Sequence, residues 1–234
     1  MITLGIDLSS MPKATAACLI NWHDERAEVQ PPILRCTDDK LDTLISQANA
    51  IGIDAPFGWP RAFVEAVASW QLNAWSSDIR KRLQFRETDL YVQRETGIWP
   101  LSVTSNFIAL PAMRAMALLQ RHGVTDRSGD GRFFEVYPAG SLYCWKMRSR
   151  GYKRIDEACA GFRQGILREL RIALPWLEVS ETYADSSDSL DALVASLTVR
   201  AAVQGSTGAP NPTQRKVVCF EGWIHLPTNF PTVT

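Results

Sequence analysis

The sequence predicts an α/β protein, a mixed sheet flanked by helices. Short runs of Ile, Leu and Val typical of strands alternate with longer segments in which apolar residues recur at helical spacing. The chain has 234 residues, 46% of them hydrophobic, which is enough to bury a substantial core. We expect one domain over residues 1–234, with a helical or loop insertion at about residues 76–104, a segment too poor in apolar residues to form its own core.

The first part of the chain predicts a three-stranded antiparallel meander. Residues 2–8 and 14–22 are apolar strands joined by a short turn, and a tight polar turn leads into a third strand over residues 27–36. Pro31 and Pro32 cannot donate to a sheet ladder, so we expect this third strand at an edge.

A crossover unit follows the meander. Asp38 or Asp39 is placed to cap a helix through residues 41–50. The apolar segment at residues 51–54 then returns to the sheet as a strand, and we expect it to reach the first strand by a right-handed crossover.

The rest of the chain predicts helices around one further strand. Pro60 suits the first turn of a helix to about Trp75, with Phe63, Val67 and Trp70 on one face. Further helices are expected at residues 105–121, 140–148, 156–174 and 185–204, the last of these being the final helix, with a strand at residues 133–138.

Composition argues against several classes of protein. The 25 basic and 25 acidic residues cancel, so no overall field draws the chain to nucleic acid or to an anionic membrane. The five cysteines are widely spaced and form no CxxC pair, which favours reduced thiols over a disulfide framework or a zinc site. The sequence contains no basic leader and no run of about 18 apolar residues. We therefore expect a cytoplasmic protein without a membrane partner.

Acidic side chains follow three of the predicted strands. Asp7, Asp54 and Glu135 lie at or near strand ends, and three neighbouring parallel strands would bring them to one edge of the sheet. Asp188 and Asp191, three residues apart, would add two carboxylates from one helical face. Clustered carboxylates repel one another unless they bind cations, and Mg²⁺ or Mn²⁺ prefers oxygen ligands.

Each acid also has a purely structural explanation. Strand-end carboxylates can accept backbone hydrogen bonds, Glu135 can pair with an arginine, and Asp188 can cap its helix. For Asp7, Asp54 and Asp191 together we favour a site, because Asp191 has apolar neighbours in the sequence and a carboxylate among such residues is costly without a partner.

The order of these parts resembles a known fold. A meander with the first acid, a helix, a strand with the second acid, another strand and an acidic helix together resemble the RNase H-like fold. More specifically, nearly the whole chain resembles a bacterial and archaeal family of uncharacterised domains predicted to be RNase H-fold nucleases, in the motifs GIDLSS, IGIDAPFGWP, RETD, EVYPAG, GYKR, DSLDALVAS and EGWIHLP.

The resemblance implies a metal site built from the acids. Asp7 and Asp54 would be metal ligands on neighbouring strands, and Asp191 would be the acid of the last helix, with Asp188 as its companion. Glu135 would be a further catalytic residue, either another metal ligand or a base-side residue near the metals. The cofactor would be Mg²⁺ or Mn²⁺, as two ions.

The resemblance also implies substrate contacts. RETD supplies Arg86 and Asp89, and GYKR supplies Tyr152 and Lys153, as polar groups that face the substrate. The predicted first helix contains no glutamate, which departs from the better-known ribonuclease pattern and favours a resolvase-like arrangement over cleavage of RNA:DNA hybrids.

Basic residues near these motifs make nucleic acid the expected partner. Basic side chains can bind phosphate oxygens and aromatic rings can stack on unpaired bases, although such runs are more often solvated surface. Trp59 is a candidate for the pocket wall, and His225 is a hydrogen-bonding residue or a general base. The two basic clusters are Arg80, Lys81, Arg82 and Arg86, and Lys146, Arg148, Arg150, Lys153 and Arg154 with Trp145 and Tyr152 among them.

These observations favour a divalent-metal-dependent nuclease that hydrolyses phosphodiester bonds of DNA or RNA. Two alternatives stay open. GIDLSS followed by Lys13 is similar to the phosphate-binding hairpin of actin-like ATPases and sugar kinases, which favours a nucleotide-binding protein. A noncatalytic nucleic-acid-binding module would keep the fold and use the pocket only for binding.

Overall fold

The structure is a computed structural model that describes residues 1–70, 77–129 and 131–234. Within these residues, seven strands form one mixed sheet with helices packed on both faces. The predicted α/β class and the mixed sheet are therefore confirmed. The strands are β1 (Ile2–Asp7), β2 (Ala16–Trp22), β3 (Ala27–Val29), β4 (Ile33–Leu34), β5 (Ala50–Asp54), β6 (Phe133–Glu135) and β7 (Leu177–Glu178).

The order of the strands explains where the acids meet. The main path through the sheet is β6-β5-β1-β2-β3-β7, and β4 pairs with β2. β1, β2 and β3 form the predicted antiparallel meander, whereas β5 and β6 run parallel to β1. The predicted third strand is divided into β3 and β4, because Pro31 and Pro32 interrupt the ladder between them.

The helices largely follow the predicted segments. Thr37, and not Asp38 or Asp39, caps the first of them, since its side chain accepts a hydrogen bond from the Lys40 backbone N–H. The helices are α1 (Asp38–Gln47), α2 (Arg61–Ser69), α3 (Arg80–Gln84), α4 (Glu87–Thr96), α5 (Ala109–Arg121), α6 (Pro138–Cys144), α7 (Glu157–Ala173), α8 (Ser187–Val203) and α9 (Arg215–Glu221).

Two helix predictions are wrong, one in where the helix ends and one in its place in the order of the helices. α2 ends at Ser69, and Trp70 takes a left-handed conformation with φ of 50°, so the helix does not continue as predicted. The predicted part over residues 71–75 lies outside the described residues. Val67 and Trp70 are exposed, whereas Ala66 is buried, because the buried face of the helix is rotated from the predicted one. α8 is not the final helix, since α9 follows it.

The described part of the predicted insertion, residues 77–104, contains α3 and α4. α4 buries Tyr91 and Val92 in a small cluster with Trp223 and Ile224. The rings of Tyr91 and Trp223 are stacked with centroids 4.6 Å apart. This half of the segment therefore packs against the C-terminal residues.

No helix in the part of the chain that the structure describes has the length and apolar character needed to cross a membrane.

The buried helix α8 lies directly on β1 and β5 because two glycines permit a close approach. A Cβ atom at Gly5 would overlap the Ala192 carbonyl and the Ser196 backbone nitrogen, and one at Gly52 would be 2.8 Å from the Ala195 carbonyl oxygen. Each glycine stands two residues before a strand-end aspartate. The contact therefore brings the first half of α8 to the carboxyl ends of both strands.

Candidate carboxylate site

Asp7 and Asp54 are partners in the register of two neighbouring parallel strands, β1 and β5. Both residues end their strands and are partly buried. Because side chains two apart on a strand share a face, both carboxylates lie on the face of Gly5 and Gly52, which is the face covered by α8. The two predicted strand-end acids are thus brought together.

Asp191 on α8 is the third acid of this group. It is buried, with 1% of its surface exposed, and both of its oxygens have partners. The Tyr152 hydroxyl donates a hydrogen bond to Oδ1 at 2.7 Å, and the Lys153 ammonium lies 2.7 Å from Oδ2. Asp188, one turn earlier and half-buried, accepts a hydrogen bond from the Ser187 hydroxyl.

Burial and the charges of neighbouring groups shift the pKa values of Asp7 and Asp54. Burial raises the pKa of Asp7 well above its ordinary value, and the charges of Asp191 and then Asp54 raise it further. Burial also raises the pKa of Asp54, to about 7, with Lys153 opposing the shift and Asp191 adding to it. Asp188 makes a smaller contribution at Asp7. At Asp7 the charges of Asp191 and Asp54 each outweigh the opposing charge of Lys153, whereas at Asp54 Lys153 outweighs Asp191.

Lys153 is the cation of the group. Loss of hydration lowers its pKa, but Asp191 and its neighbours outweigh that effect and raise the pKa of Lys153 well above its ordinary value. Its side chain is nevertheless 54% exposed. The ammonium is therefore held at Asp191 while it remains accessible from solvent.

Glu135 is not on the same face as the strand-end aspartates. Its register partner on β5 is Ile53, the residue before Asp54, and successive side chains on a strand point to opposite faces. Glu135 is buried beside Arg86, whose Nη2 is 2.7 Å from Oε1, and it accepts a hydrogen bond from the Phe57 N–H at 2.9 Å. Its charge contributes to the raised pKa of Asp54, and Glu135 lines the same cleft as Asp54 and Lys153.

Arg86 and Asp89 are predicted to face the substrate, and the structure places them differently. Both are buried, and Arg86 Nη2 is 2.9 Å from Asp89 Oδ1. Arg86 also donates a hydrogen bond from Nη1 to the Glu221 carbonyl. This buried charge cluster holds Glu135 and joins α4 to the C-terminal region. Arg86 also lines the same cleft as Asp54, so its predicted contact with the substrate stays a prediction, as does that of Asp89.

Arg163 on α7 is a residue that the sequence reasoning missed. It is buried and donates hydrogen bonds to the carbonyls of Tyr152 at 2.9 Å and Arg154 at 3.1 Å. These carbonyls flank Lys153, so Arg163 fixes the backbone of the loop that presents the ammonium. A signal was present, because Arg163 occupies a position of the apolar face that Ile166 and Leu167 continue.

A cleft of about 860 Å³ opens beside Asp54. Its wall includes Tyr137, Arg150, Lys153, Arg154 and Phe162. Cations and aromatic rings thus line a cavity that reaches a carboxylate of the group.

Of the other aromatic and imidazole groups predicted near the substrate, Tyr152 lines this cleft, whereas Trp145, Trp59 and His225 do not. Trp145 is buried, stacks on Phe230 and donates a hydrogen bond from its ring nitrogen to the Asn229 carbonyl. Tyr152 is fully buried, and its hydroxyl donates a hydrogen bond to Asp191. Neither ring is therefore exposed on the surface among the basic residues. Trp59 lines a different cavity. The His225 ring hydrogen-bonds Thr207 and the Ser128 carbonyl, and burial lowers its pKa to about 4.

Asp7 and Asp54 have the chemistry of ligands for a divalent cation. Mg²⁺ is commonly held by one or two carboxylates together with water and substrate phosphates. Asp7 and Asp54 supply two such carboxylates, and burial is the main cause of their raised pKa values, to which the charge of Asp191 adds. In the described residues, no three His, Cys, Asp or Glu side chains are grouped so that they could hold a metal ion together. The residues fit an ion held by the two strand-end acids and not by a larger protein ligand set.

A family model matches most of the chain. The family is described as "Protein of unknown function (DUF429)", and the match covers residues 5–215. That range includes Asp7, Asp54, Lys153 and Asp191, so the whole carboxylate group lies within the matched segment. No curated protein matches the chain.

Proposed function

We propose that this chain, which belongs to the DUF429 family of proteins of unknown function, is a divalent-metal-dependent nuclease of RNase H-like fold. The fold assignment is supported by the antiparallel order of β1, β2 and β3 and by the addition of β5 and β6 parallel to β1. It is also supported by α8, an acidic helix placed against the ends of the central strands.

The observation that carries the proposed activity is the register pairing of Asp7 with Asp54 under the first half of α8. Two carboxylates at the ends of adjacent parallel strands face the same side. Burial raises the pKa of both, the charge of Asp191 raises both further, and the charge of Asp54 adds to the shift at Asp7. If the two acids had a purely structural role, we would expect their carboxylate oxygens to accept hydrogen bonds from nearby donors. A divalent cation would relieve the repulsion between the acids directly.

The reaction is hydrolysis of a phosphodiester. A water oxygen forms a bond to phosphorus while the bond from phosphorus to one ester oxygen breaks, and the leaving oxygen takes up a proton, so that a phosphate monoester and a free hydroxyl result. A bound divalent ion would activate the water and stabilise the leaving oxygen. Asp7 and Asp54 would hold that ion at the ends of β1 and β5.

The lining of the cleft beside Asp54 favours a nucleic-acid strand with unpaired bases as the substrate. Arg150 and Arg154 are exposed cations that can bind phosphate oxygens, and the rings of Tyr137 and Phe162 line the same cavity. Ring faces accept any unpaired base, and phosphate contacts carry no sequence information. The combination fits single-stranded or distorted nucleic acid, DNA or RNA, with little sequence preference.

One observation favours a second candidate, a noncatalytic nucleic-acid-binding module. Lys153 and Tyr152 already satisfy both oxygens of Asp191, so that acid needs no metal ion to be stable in the fold. Such a module would bind single-stranded nucleic acid in the cleft without cleaving it. It would also keep its affinity when Asp7 is neutralised.

The test is cleavage of labelled single-stranded, duplex and branched DNA and RNA in Mg²⁺ or Mn²⁺. We expect the wild type to cleave a substrate with unpaired bases, and Asp7→Asn and Asp54→Asn to lose more than about 100-fold in rate, as when one electrostatic stabiliser leaves an active site. Asp185→Asn, at an exposed acid just before α8, is the matched control and should cleave normally.

Two results would count against the nuclease. Equal cleavage by the wild type and by both site variants would trace the activity to another source. Binding without cleavage of any substrate, unchanged in Asp7→Asn, would favour the noncatalytic module. Tight binding of ATP in place of nucleic acid would favour the nucleotide-binding alternative.

A further inference from the structure

The contacts of Asp191 bear on how many metal ions the site holds. Asp191 is almost fully buried, with its Oδ1 bound to the Tyr152 hydroxyl and its Oδ2 to the Lys153 ammonium, each at 2.7 Å. A metal ion that used Asp191 would have to displace one of these groups. Displacing the hydroxyl would leave a buried donor without a partner, at a cost of about 1–3 kcal/mol.

The displacement of Lys153 is opposed by the loop that carries it. Arg163 donates hydrogen bonds to the carbonyls immediately before and after Lys153, and a further one to the Ala184 carbonyl at 2.9 Å. The backbone of the loop is thus tied to α7 and to the segment that precedes α8. The ammonium is held in place before any ligand arrives, and its side chain is still half exposed towards the cleft.

We propose, on the basis of the nuclease function above, that the Lys153 ammonium takes the place of a second metal ion, so that the site binds one divalent ion through Asp7 and Asp54. Asp191 then serves to position Lys153 and is not a metal ligand. This assignment differs from the two ions expected from the sequence.

The charges of the group agree with one ion. When ionised, Asp7, Asp54 and Asp191 together with the Lys153 ammonium carry a net charge of minus two, which a single divalent ion would cancel. Asp188, which has a smaller effect on Asp7, lies outside this count. A second divalent ion would make the group strongly positive before a phosphate entered, unless Lys153 moved away. Because Lys153 and Asp54 line the same cleft, a phosphate in that cleft can contact the ammonium on one side and the ion on the other.

The experiment counts bound Mn²⁺ without any substrate. The EDTA-stripped chain is titrated with Mn²⁺, and free Mn²⁺ is measured by electron paramagnetic resonance after equilibrium dialysis. We expect one Mn²⁺ per chain for the wild type and for Lys153→Arg, which keeps the charge. Lys153→Met and Lys153→Gln, which remove it, should each bind two Mn²⁺. Lys216→Met, at an exposed lysine on α9, is the control and should bind one.

Each outcome separates this inference from the proposed function. Two ions on the wild type would overturn the role of Lys153 and leave a metal-dependent nuclease in place. No ion on the wild type would overturn both. One ion on Lys153→Met and Lys153→Gln, with thermal unfolding showing that they are folded, would overturn the assignment of the second cation to Lys153. Two ions on these variants alone would support it.

Discussion

Arg163 donates a hydrogen bond to the backbone carbonyl of Tyr152 at a distance of 2.9 Å. This bond joins the middle of α7 to the loop that supplies both partners of Asp191. A buried arginine on an otherwise apolar helix face thereby acts as a support of the carboxylate group. Arg163 thus supports the site through backbone carbonyls of this loop and of the segment before α8, and not through a hydrogen bond to one of the acids.

We expect Arg163→Met to loosen the Tyr152–Lys153 loop, because four backbone carbonyls lose a charged donor. Amide hydrogen exchange of residues 151–155 should become faster, and the free energy of unfolding should fall by about 2 kcal/mol. Arg168→Met changes an exposed arginine on the same helix and should leave both quantities unchanged. Unaltered exchange in Arg163→Met would show that the loop is held by other contacts.

The metal-free protein should lose stability as the pH rises from about 4 to about 7. The pKa of Asp54 is raised in the folded state to about 7, so folding takes up a proton in this window and becomes less favourable as the pH increases. Urea unfolding in EDTA should show a decline of the order of 1–3 kcal/mol.

Asp54→Asn removes the titrating group and provides the comparison for this pH dependence. The variant should show a flatter profile and, at pH 8, a higher free energy of unfolding than the wild type. Asp185→Asn should follow the wild type. Parallel profiles for the wild type and Asp54→Asn would mean that Asp54 does not carry the pH dependence.

Gly5→Ala should strongly destabilise the fold, because the added methyl group would overlap the α8 backbone at Ala192 and Ser196. We expect a loss of about 3 kcal/mol in chemical denaturation, since two backbone segments and not a flexible side chain must move. Gly161→Ala, in an exposed and open position of α7, is the matched control and should stabilise by about 0.5–1 kcal/mol. Equal effects of the two substitutions would contradict the close packing of α8 on β1.

Arg86→Met should cost about 3–5 kcal/mol of stability, because it leaves Glu135 and Asp89 buried without their shared cation. Neutralising the two acids in the same chain, as Arg86→Met with Glu135→Gln and Asp89→Asn, should restore much of the loss. Arg82→Met, at an exposed residue of α3, should have little effect. A triple variant no more stable than Arg86→Met would argue that Arg86 acts through packing and not through charge.

The sequence was sufficient to predict the α/β class, the meander and the strands that end in Asp7 and Asp54. These follow from local signals, namely alternating or continuous apolar runs, turn residues and an acid at the point where a strand leaves the sheet. The extents of α2 and α5 were less predictable. Which face of a short helix is buried depends on its neighbours, as the exposed Val67 and Trp70 and the exposed Met113 show.

The sequence by itself thus determined which acids stand at the strand ends, because strand periodicity is a local property of the chain. Only the tertiary structure decided which of the other charged groups join them. A shift of one residue in register turns Glu135 to the opposite face, where Arg86 and Asp89 enclose it. Packing of α8 through Gly5 brings Asp191 to Lys153, a contact between residues 38 apart that no local pattern encodes. The charge balance of the site is therefore a consequence of packing.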